Sequence, residues 1–466
     1  MNLDLYKHIY FVGIGGIGMS ALARYFKAKE MDVSGYDREK SNLCQALESE
    51  GIAIHYNAGV EHIPTSIKKA NYNELLIIYT PAVAQDNIEL QFFKEKGCKL
   101  HKRAEVLGLI SSQSYTIAVA GTHGKTTTST ILAHILQNSG KNSTAFLGGI
   151  SKNYNTNLLL AKQGNLLIVE ADEYDRSFLQ LQPDIAIITS VDADHLDIYN
   201  SKEVLEEAFV QFASQIKQKG LLVVEASIDI ELPTPEDGVK LTYSANKKAD
   251  YYAENIRVNN GKMVFDLITL DIMTGMTYEK KQENLELILP GNHNVSNAVA
   301  AASVACYLGL SCEEVERGLS TFDGINRRFE VLINKNDLAF IDDYAHHPKE
   351  VCATINAAKQ LFPGRMITVV FQPHLYSRTQ DFAQDFAVSL SSADQLILLD
   401  IYPARESPIV GVDSQMLLDL CTNPKKETCT KQELLKILEG EDLDVLLTLG
   451  AGDISDLVQP IKHMLN

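Results

Sequence analysis

The sequence predicts an α/β protein built of three consecutive domains. Three observations predict it. The chain has 466 residues, which at roughly 150 residues per domain suggests about three. Apolar strands run repeatedly into glycine turns and then helices, the rhythm of a parallel, doubly wound sheet. Breaks near residues 112 and 324 each precede a fresh strand. The expected domains are 1–112, 113–324 and 325–466: N-terminal Rossmann-like, central P-loop ATPase-like and C-terminal Rossmann-like.

In the first segment HIYFVGIGG is a strand entering a glycine turn, and MSALARYFKAK is the helix that follows. MDVSGYD is a second strand ending at Asp37, and ELLIIYTPAV is a further buried strand. The polar run from Ser111 to Tyr115 leads into TIAVAGTHGKTTTSTILAHILQ, again strand, turn and helix. Strands follow at LLIVEADE, DIAIITSVDADH and GLLVVEAS. The stretch from Tyr251 to Leu289 has few helix signals and reads as peripheral β-structure, whereas NAVAAASVACYLGL reads as an alanine-rich helix. After FDGINRRF the strands are LAFIDDYA, MITVVFQPH, DQLILLD and DVLLTLGAGD, with helices between them. Val204, Leu205, Ala208, Phe209, Phe212 and Ile216 form an apolar stripe at helical spacing and belong in a core.

Composition excludes several classes. The formal net charge of -18 opposes a nucleic-acid partner, whose footprint is a basic patch or stripe. Seven cysteines without CxxC or CxxH spacing fit a reducing compartment and no zinc site. No window reaches the roughly 18 uninterrupted apolar residues of a membrane span. The N-terminus has no basic region ahead of a long apolar run. The expectation is a cytoplasmic protein with no membrane partner, monomeric or homodimeric.

Gly13, Ile14, Gly15, Gly16, Ile17 and Gly18 form GxGxxG between a strand and a helix. Such glycines let backbone approach a ligand, and the helix start offers N–H groups to phosphate. Asp37 stands about where a dinucleotide fold keeps its ribose-binding acid. That loop alone leaves open NAD, and with it an oxidoreductase. A nucleotide-sensing binding protein is the reading outside enzymes.

The second loop, Gly121, Thr122, His123, Gly124, Lys125 and Thr126 with Thr127 behind it, is more specific. Its N–H groups can cradle phosphates, Lys125 can reach the β/γ-phosphates, and the Thr126 hydroxyl can bind Mg²⁺. It is shorter than the general P-loop, whose first glycine would fall at Val119. Glu170 ends a buried strand, and Asp194 and His195 end another, where α/β sheets bind ligands. One carboxylate, a threonine hydroxyl and phosphate oxygens suffice for Mg²⁺. Two glycine loops on separate domains imply ATP and a second nucleotide-linked molecule, which fits a ligase better than a dehydrogenase. Gly450 to Asp453 is another glycine turn after a strand and reads as a strand–helix connection.

GIGGIGMSALA, RAEVL, GTHGKTTT, EADE, DADH, GNHNVSNAVAA, RRFE, DYAHHP and FQPH occur here in the order in which the Mur ligase family carries them, and together they span nearly the whole chain. The chain resembles that family. The resemblance implies an ATP- and Mg²⁺-dependent carboxylate–amine ligase of cell-wall precursor synthesis, taking UDP-N-acetylmuramate and L-alanine. Other family activities, such as peptide recycling or a folate polyglutamating relative, are the alternatives within the class. It implies that Lys125 and Thr126 serve ATP phosphate and Mg²⁺, Glu170 a first metal ion and His195 a second. His293, Asn294 and Asn297 would meet the adenine, Arg328 would reach ATP, and Asp343 would lie at the nucleotide. Tyr344, His346 and Arg378 would contact substrate, with Lys125, Arg328 and His346 the catalytic set, and Gly13 to Gly18 with Asp37 would hold the UDP part.

Two departures from the family pattern matter. The family commonly reads FQPHRYTRT where this chain has FQPHLYSRT, so Leu375 replaces an arginine and one anion contact is missing or supplied elsewhere. Sister ligases carry a carbamylated lysine after the DH histidine, whereas EVLEEAFVQFASQI has none; the branch that adds L-alanine is expected to lack it.

Overall fold

The computed structural model describes residues 3–194, 196–199, 201–273, 276–404 and 406–466. The chain forms two compact units. One comprises residues 1–252, 269–279 and 297–319, and the other 253–268, 280–296 and 320–466.

The first unit opens on a parallel sheet of β1 (His8–Val12), β2 (Asp32–Tyr36), β3 (Ala53–His55), β4 (Leu75–Tyr79) and β5 (Leu100–Lys102). Their order is β3-β2-β1-β4-β5. This is the doubly wound, Rossmann-type arrangement, in which ligands bind where the strand order reverses, here between β1 and β4. Ile9, Tyr10, Phe11 and Val12 are all 0% exposed, as strands covered on both faces must be. The helix Ile17–Ala28 begins inside the glycine loop, ahead of the expected Met19, and buries Met19, Leu22, Ala23 and Phe26.

A second sheet follows: β6 (Tyr115–Ala120), β7 (Thr144–Ser151), β8 (Thr156–Leu159), β9 (Leu166–Glu170), β10 (Ile185–Ile188), β11 (Leu221–Glu225) and β12 (Val239–Ser244). It runs β12-β11-β10-β6-β9-β7-β8, with β7 and β8 antiparallel. Because β10 and β9 flank β6, the loops leaving these strands emerge side by side. The apolar stripe from Val204 to Phe212 lies on the helix Lys202–Ser214, and Ile216 follows just past its end. Its Phe209 and Phe212 pack on Phe178 with ring centroids 5.2 and 5.0 Å away. The stretch after residue 250 is β-structure as expected: β13 (Tyr251–Asn259), β14 (Lys262–Met273) and β15 (Met276–Leu287). The alanine-rich helix runs Asn292–Tyr307.

The second unit carries β16 (Glu330–Asn334), β17 (Ala339–Asp343), β18 (Ile367–Phe371), β19 (Gln395–Leu399), β20 (Lys425–Cys429) and β21 (Val445–Leu449). The order is β16-β17-β21-β18-β19-β20, with β16 antiparallel to β17. The last strand of the chain is thus inserted at the centre. Asp343, Leu449 and Phe371 stand level, so the carboxyl ends of β17, β21 and β18 share one edge.

Candidate active site

The first glycine loop is built by its neighbours. Gly13 N and Ile14 N donate to the Tyr36 carbonyl at 2.8 and 3.1 Å. Gly15 N donates to Asp37 Oδ2 at 2.7 Å, and Glu39 N to Asp37 Oδ1 at 3.2 Å. Asp37 therefore shapes the loop, a role the sequence reading did not give it. Gly16 caps the helix whose first turn holds Ile17 and Gly18.

The second loop is tighter. Gly124 caps the helix Lys125–Asn138 at φ 82°. A Cβ there would lie 2.5 Å from Asn297 Oδ1. Asn297 also accepts from Thr128 Oγ1 at 3.2 Å, so it braces this loop. Gly121 has φ 132°, and a Cβ would overlap Thr189 Oγ1. Just past β10, Ser190 Oγ accepts from His123 N at 2.8 Å and lies 3.0 Å from Thr122 Oγ1. Thr127 is buried in the first turn.

Lys125 Nζ donates to the Gly121 carbonyl at 2.6 Å and to Glu173 Oε2 at 2.7 Å. Burial disfavours its charged form, but Glu173, Asp172 and Glu170 outweigh that and hold the ammonium above the usual lysine range. Thr126 Oγ1 donates to Glu170 Oε2 at 2.9 Å. A hydroxyl and a carboxylate oxygen side by side at a helix start are hard donors that suit Mg²⁺. His195 lies outside the described residues. Among the described residues no cluster of three or more His, Cys, Asp or Glu could hold a metal by itself, so phosphate oxygens and water would complete the coordination. The structure thus brings Gly121 to Thr126, Glu170 and Asn297 together, and it adds Glu173, Thr189 and Ser190. The motif EADE and the strand end ITS were visible in the sequence, but nothing there marked these side chains as turning inward.

In the second unit the residues after β17 gather around Tyr344. Arg327 and Arg328 each stack on its ring at 5.3 Å. Arg327 also bonds Asp342 Oδ2 at 2.9 Å and the Gly450 carbonyl at 2.7 Å, which anchors the pair and presents Arg328. Glu350, missed from sequence, accepts from His346 N at 3.0 Å and stands 3.9 Å from Arg328. His346 Nδ1 lies 3.0 Å from the Tyr344 carbonyl and 3.3 Å from Glu350. A carbonyl only accepts, so Nδ1 carries the proton and the neutral ring's lone pair is on Nε2. The His374 ring is 6.0 Å from His346 and stacks on Tyr402 at 5.7 Å. Arg378 is buried on the helix Tyr376–Asp381. His293 and Asn294 open the helix Asn292–Tyr307, where Asn294 Nδ2 donates to the Pro290 carbonyl at 2.8 Å. Gly450 to Asp453 forms the connection expected, tied by Gln372 Nε2 to Asp453 Oδ1 at 2.7 Å.

Asp343 accepts from Phe329 N and Ala345 N, each at 2.9 Å, and from Thr354 Oγ1 at 3.1 Å. Burial, opposed by Arg328, pushes its carboxyl from 3.8 to about 6. Folding therefore favours the protonated form, and the stability it brings is complete below 3.8 and lost as pH rises through about 6. Compared by chemical denaturation, Asp343→Asn should gain on the wild type by about 3 kcal/mol between acid and neutral pH. A constant difference across that range would refute the shift.

Residues 8–115 match the Mur ligase family catalytic domain, residues 119–305 the Mur ligase middle domain, and residues 327–452 the Mur ligase glutamate ligase domain. The UDP-N-acetylmuramate–L-alanine ligase of Cytophaga hutchinsonii is 44% identical over 99% of this chain and 97% of its own length. The enzyme of that name from Porphyromonas gingivalis is 47% identical over 98% of this chain and 99% of its own. A crystal structure of UDP-N-acetylmuramate-alanine ligase from Thermotoga maritima superposes with a TM-score of 0.81 at 28% identity, covering 98% of this chain and 99% of that one. A murein peptide ligase from Psychrobacter arcticus shares the fold, with a TM-score of 0.70 at 22% identity over 98% of each chain. With its three segments matched in order and its full length shared with such relatives, the chain belongs to the Mur ligase family.

Proposed function

We propose that this chain joins L-alanine to the lactyl carboxylate of UDP-N-acetylmuramate with hydrolysis of ATP to ADP and phosphate, in peptidoglycan precursor synthesis. The observation that carries the proposal is full-length identity of 44% and 47% to ligases of that name, joined to the Lys125–Thr126–Glu170 arrangement. Residues 1–112 would bind the UDP-substrate, 113–324 ATP, and 325–466 the amino acid and the rest of the substrate. No described helix is long and apolar enough to cross a membrane; the cytoplasm is the proposed place of work.

A carboxylate is a poor acyl donor to an amine until it carries a leaving group. Its oxygen attacks the γ-phosphorus of ATP, ADP departs, and an acyl phosphate forms. Lys125 and the N–H groups of Gly124 to Thr126 hold the phosphates, whereas those of Thr122 and His123 bond Ser190 and shape the turn; positioning with charge neutralisation is most of what such a transfer needs. Thr126 and Glu170 would hold Mg²⁺, which when bound would neutralise charge on the phosphate oxygens. Arg328 adds positive charge. The L-alanine amine then attacks the acyl carbon and phosphate leaves. His346 Nε2 is the base for the amine proton, with Glu350 as counter-charge to the imidazolium so formed.

Phosphate release from ATP should require both UDP-N-acetylmuramate and L-alanine. A panel of amino acids in that assay sets alanine against serine and glycine. In calorimetry the intact chain should bind UDP-N-acetylmuramate more tightly than NAD. Tighter binding of NAD, with hydride transfer and no phosphate release, would return the protein to the oxidoreductases.

A further inference from the structure

Arg103 opens the helix Arg103–Ser112 directly after β5. Its side chain lies over Gly18, in the first turn of the helix that follows the first glycine loop. A Cβ on Gly18 would overlap Arg103 Nη1 and stand 3.1 Å from Cζ. The guanidinium is thus placed beside N–H groups suited to a phosphate. Its Nη2 reaches into the ATP domain and meets Asp172 Oδ2 at 3.3 Å. Asp172 sits between Glu170, which accepts from Thr126, and Glu173, which holds Lys125. Its charge is among those that act on Lys125. Beside this pair, Lys102 Nζ meets Asp175 Oδ2 at 2.8 Å.

We propose that Arg103 and Asp172 are a positioning pair that couples the two substrate loops, so that UDP-substrate and ATP–Mg²⁺ each bind more tightly when the other is present. The inference rests on the assignment of the two loops to those ligands. A diphosphate on the first loop draws the Arg103 cation. The positive charge of Mg²⁺ on the second draws the Asp172 carboxylate. Whichever ligand arrives first opens the ion pair and meets that cost, and the second finds its partner already released. Linkage makes the effect reciprocal. The side chains are 22% and 37% exposed, so the pair can open without unfolding its surroundings.

Calorimetry on the intact protein tests this without turnover. UDP-N-acetylmuramate is titrated with and without adenylyl imidodiphosphate and Mg²⁺, in the absence of L-alanine. The wild type should bind about tenfold more tightly with the ATP analogue present. In Arg103→Ala and in Asp172→Asn that ratio should fall to near one. Asparagine keeps the oxygen that accepts from Tyr174 N at 3.1 Å, so the loop retains its turn. Lys102→Ala, which breaks the neighbouring pair, should keep the tenfold ratio. The proposal is overturned if the ratio survives in Arg103→Ala and Asp172→Asn, or if Lys102→Ala abolishes it as fully as they do. A wild type that binds no UDP-N-acetylmuramate overturns the loop assignment itself, and the coupling with it.

Discussion

Lys125→Met should lower ATP-dependent phosphate release to below about a thousandth of the wild-type rate, the scale on which a single cation at a transferring phosphoryl group acts. Methionine keeps the length and removes the charge. The structure adds a second consequence that the motif alone does not. Lys125 is 12% exposed and Glu173 1%, with 2.7 Å between the charged atoms. Breaking a buried pair from one side leaves a charge without its counter-charge and costs about 3–5 kcal/mol. The single variant should therefore melt early as well as stop turning over. Lys125→Met with Glu173→Gln removes both charges, so it should recover most of the melting temperature and none of the turnover. The single Glu173→Gln variant serves as its control. Phosphate release by the double variant above a tenth of that control would place Lys125 away from the reacting phosphate.

Glu170→Gln should raise the Mg²⁺ concentration for half-maximal rate by at least about a hundredfold, since even outer-shell partners of a metal are worth 10–100-fold in affinity or activity. Glutamine can still accept from Thr126 Oγ1, which Glu170 meets at 2.9 Å, so the helix start keeps its bond and loses only the negative charge. Binding of UDP-N-acetylmuramate alone should change little, because that ligand is assigned to the first loop. Titrating Mg²⁺ against rate decides the matter. An unchanged half-saturation point removes Glu170 from the metal.

The coming together of Lys125, Thr126 and Glu170 is legible because each is announced locally, by a glycine turn after a strand or by an acid at a strand end. Glu173 was not. Glu170, Asp172, Glu173 and Asp175 stand close together in the sequence, and only folding decides which carboxylate turns towards Lys125. Asp37 and Asp343 illustrate the same limit. An acid at a strand end reads as a ligand contact, and nothing in the sequence shows that both carboxylates also accept backbone N–H groups that fix the turn. Strands buried on both faces were plain as apolar runs. β20 was missed because it is an edge strand whose Lys425, Lys426 and Glu427 look like loop, the usual protection of an edge. β21 was read as a strand, but nothing in its position at the end of the chain reveals that it lies between β17 and β18.

A phosphate cradle that waited with an uncommitted ammonium would be a trap for every small anion around it. Here Glu173 already occupies that ammonium. Orthophosphate or sulfate must displace a carboxylate and gains little beyond the contact it takes over. A triphosphate brings loop N–H contacts and a metal along its length, and so can afford the exchange. On the proposed assignment the same carboxylate would reclaim the lysine as the products separate and so free the site for the next nucleotide. Orthophosphate, though a product, should accordingly be a weak competitor of ATP, and selectivity for the long anion over the short one would then be set by a residue that the nucleotide must evict.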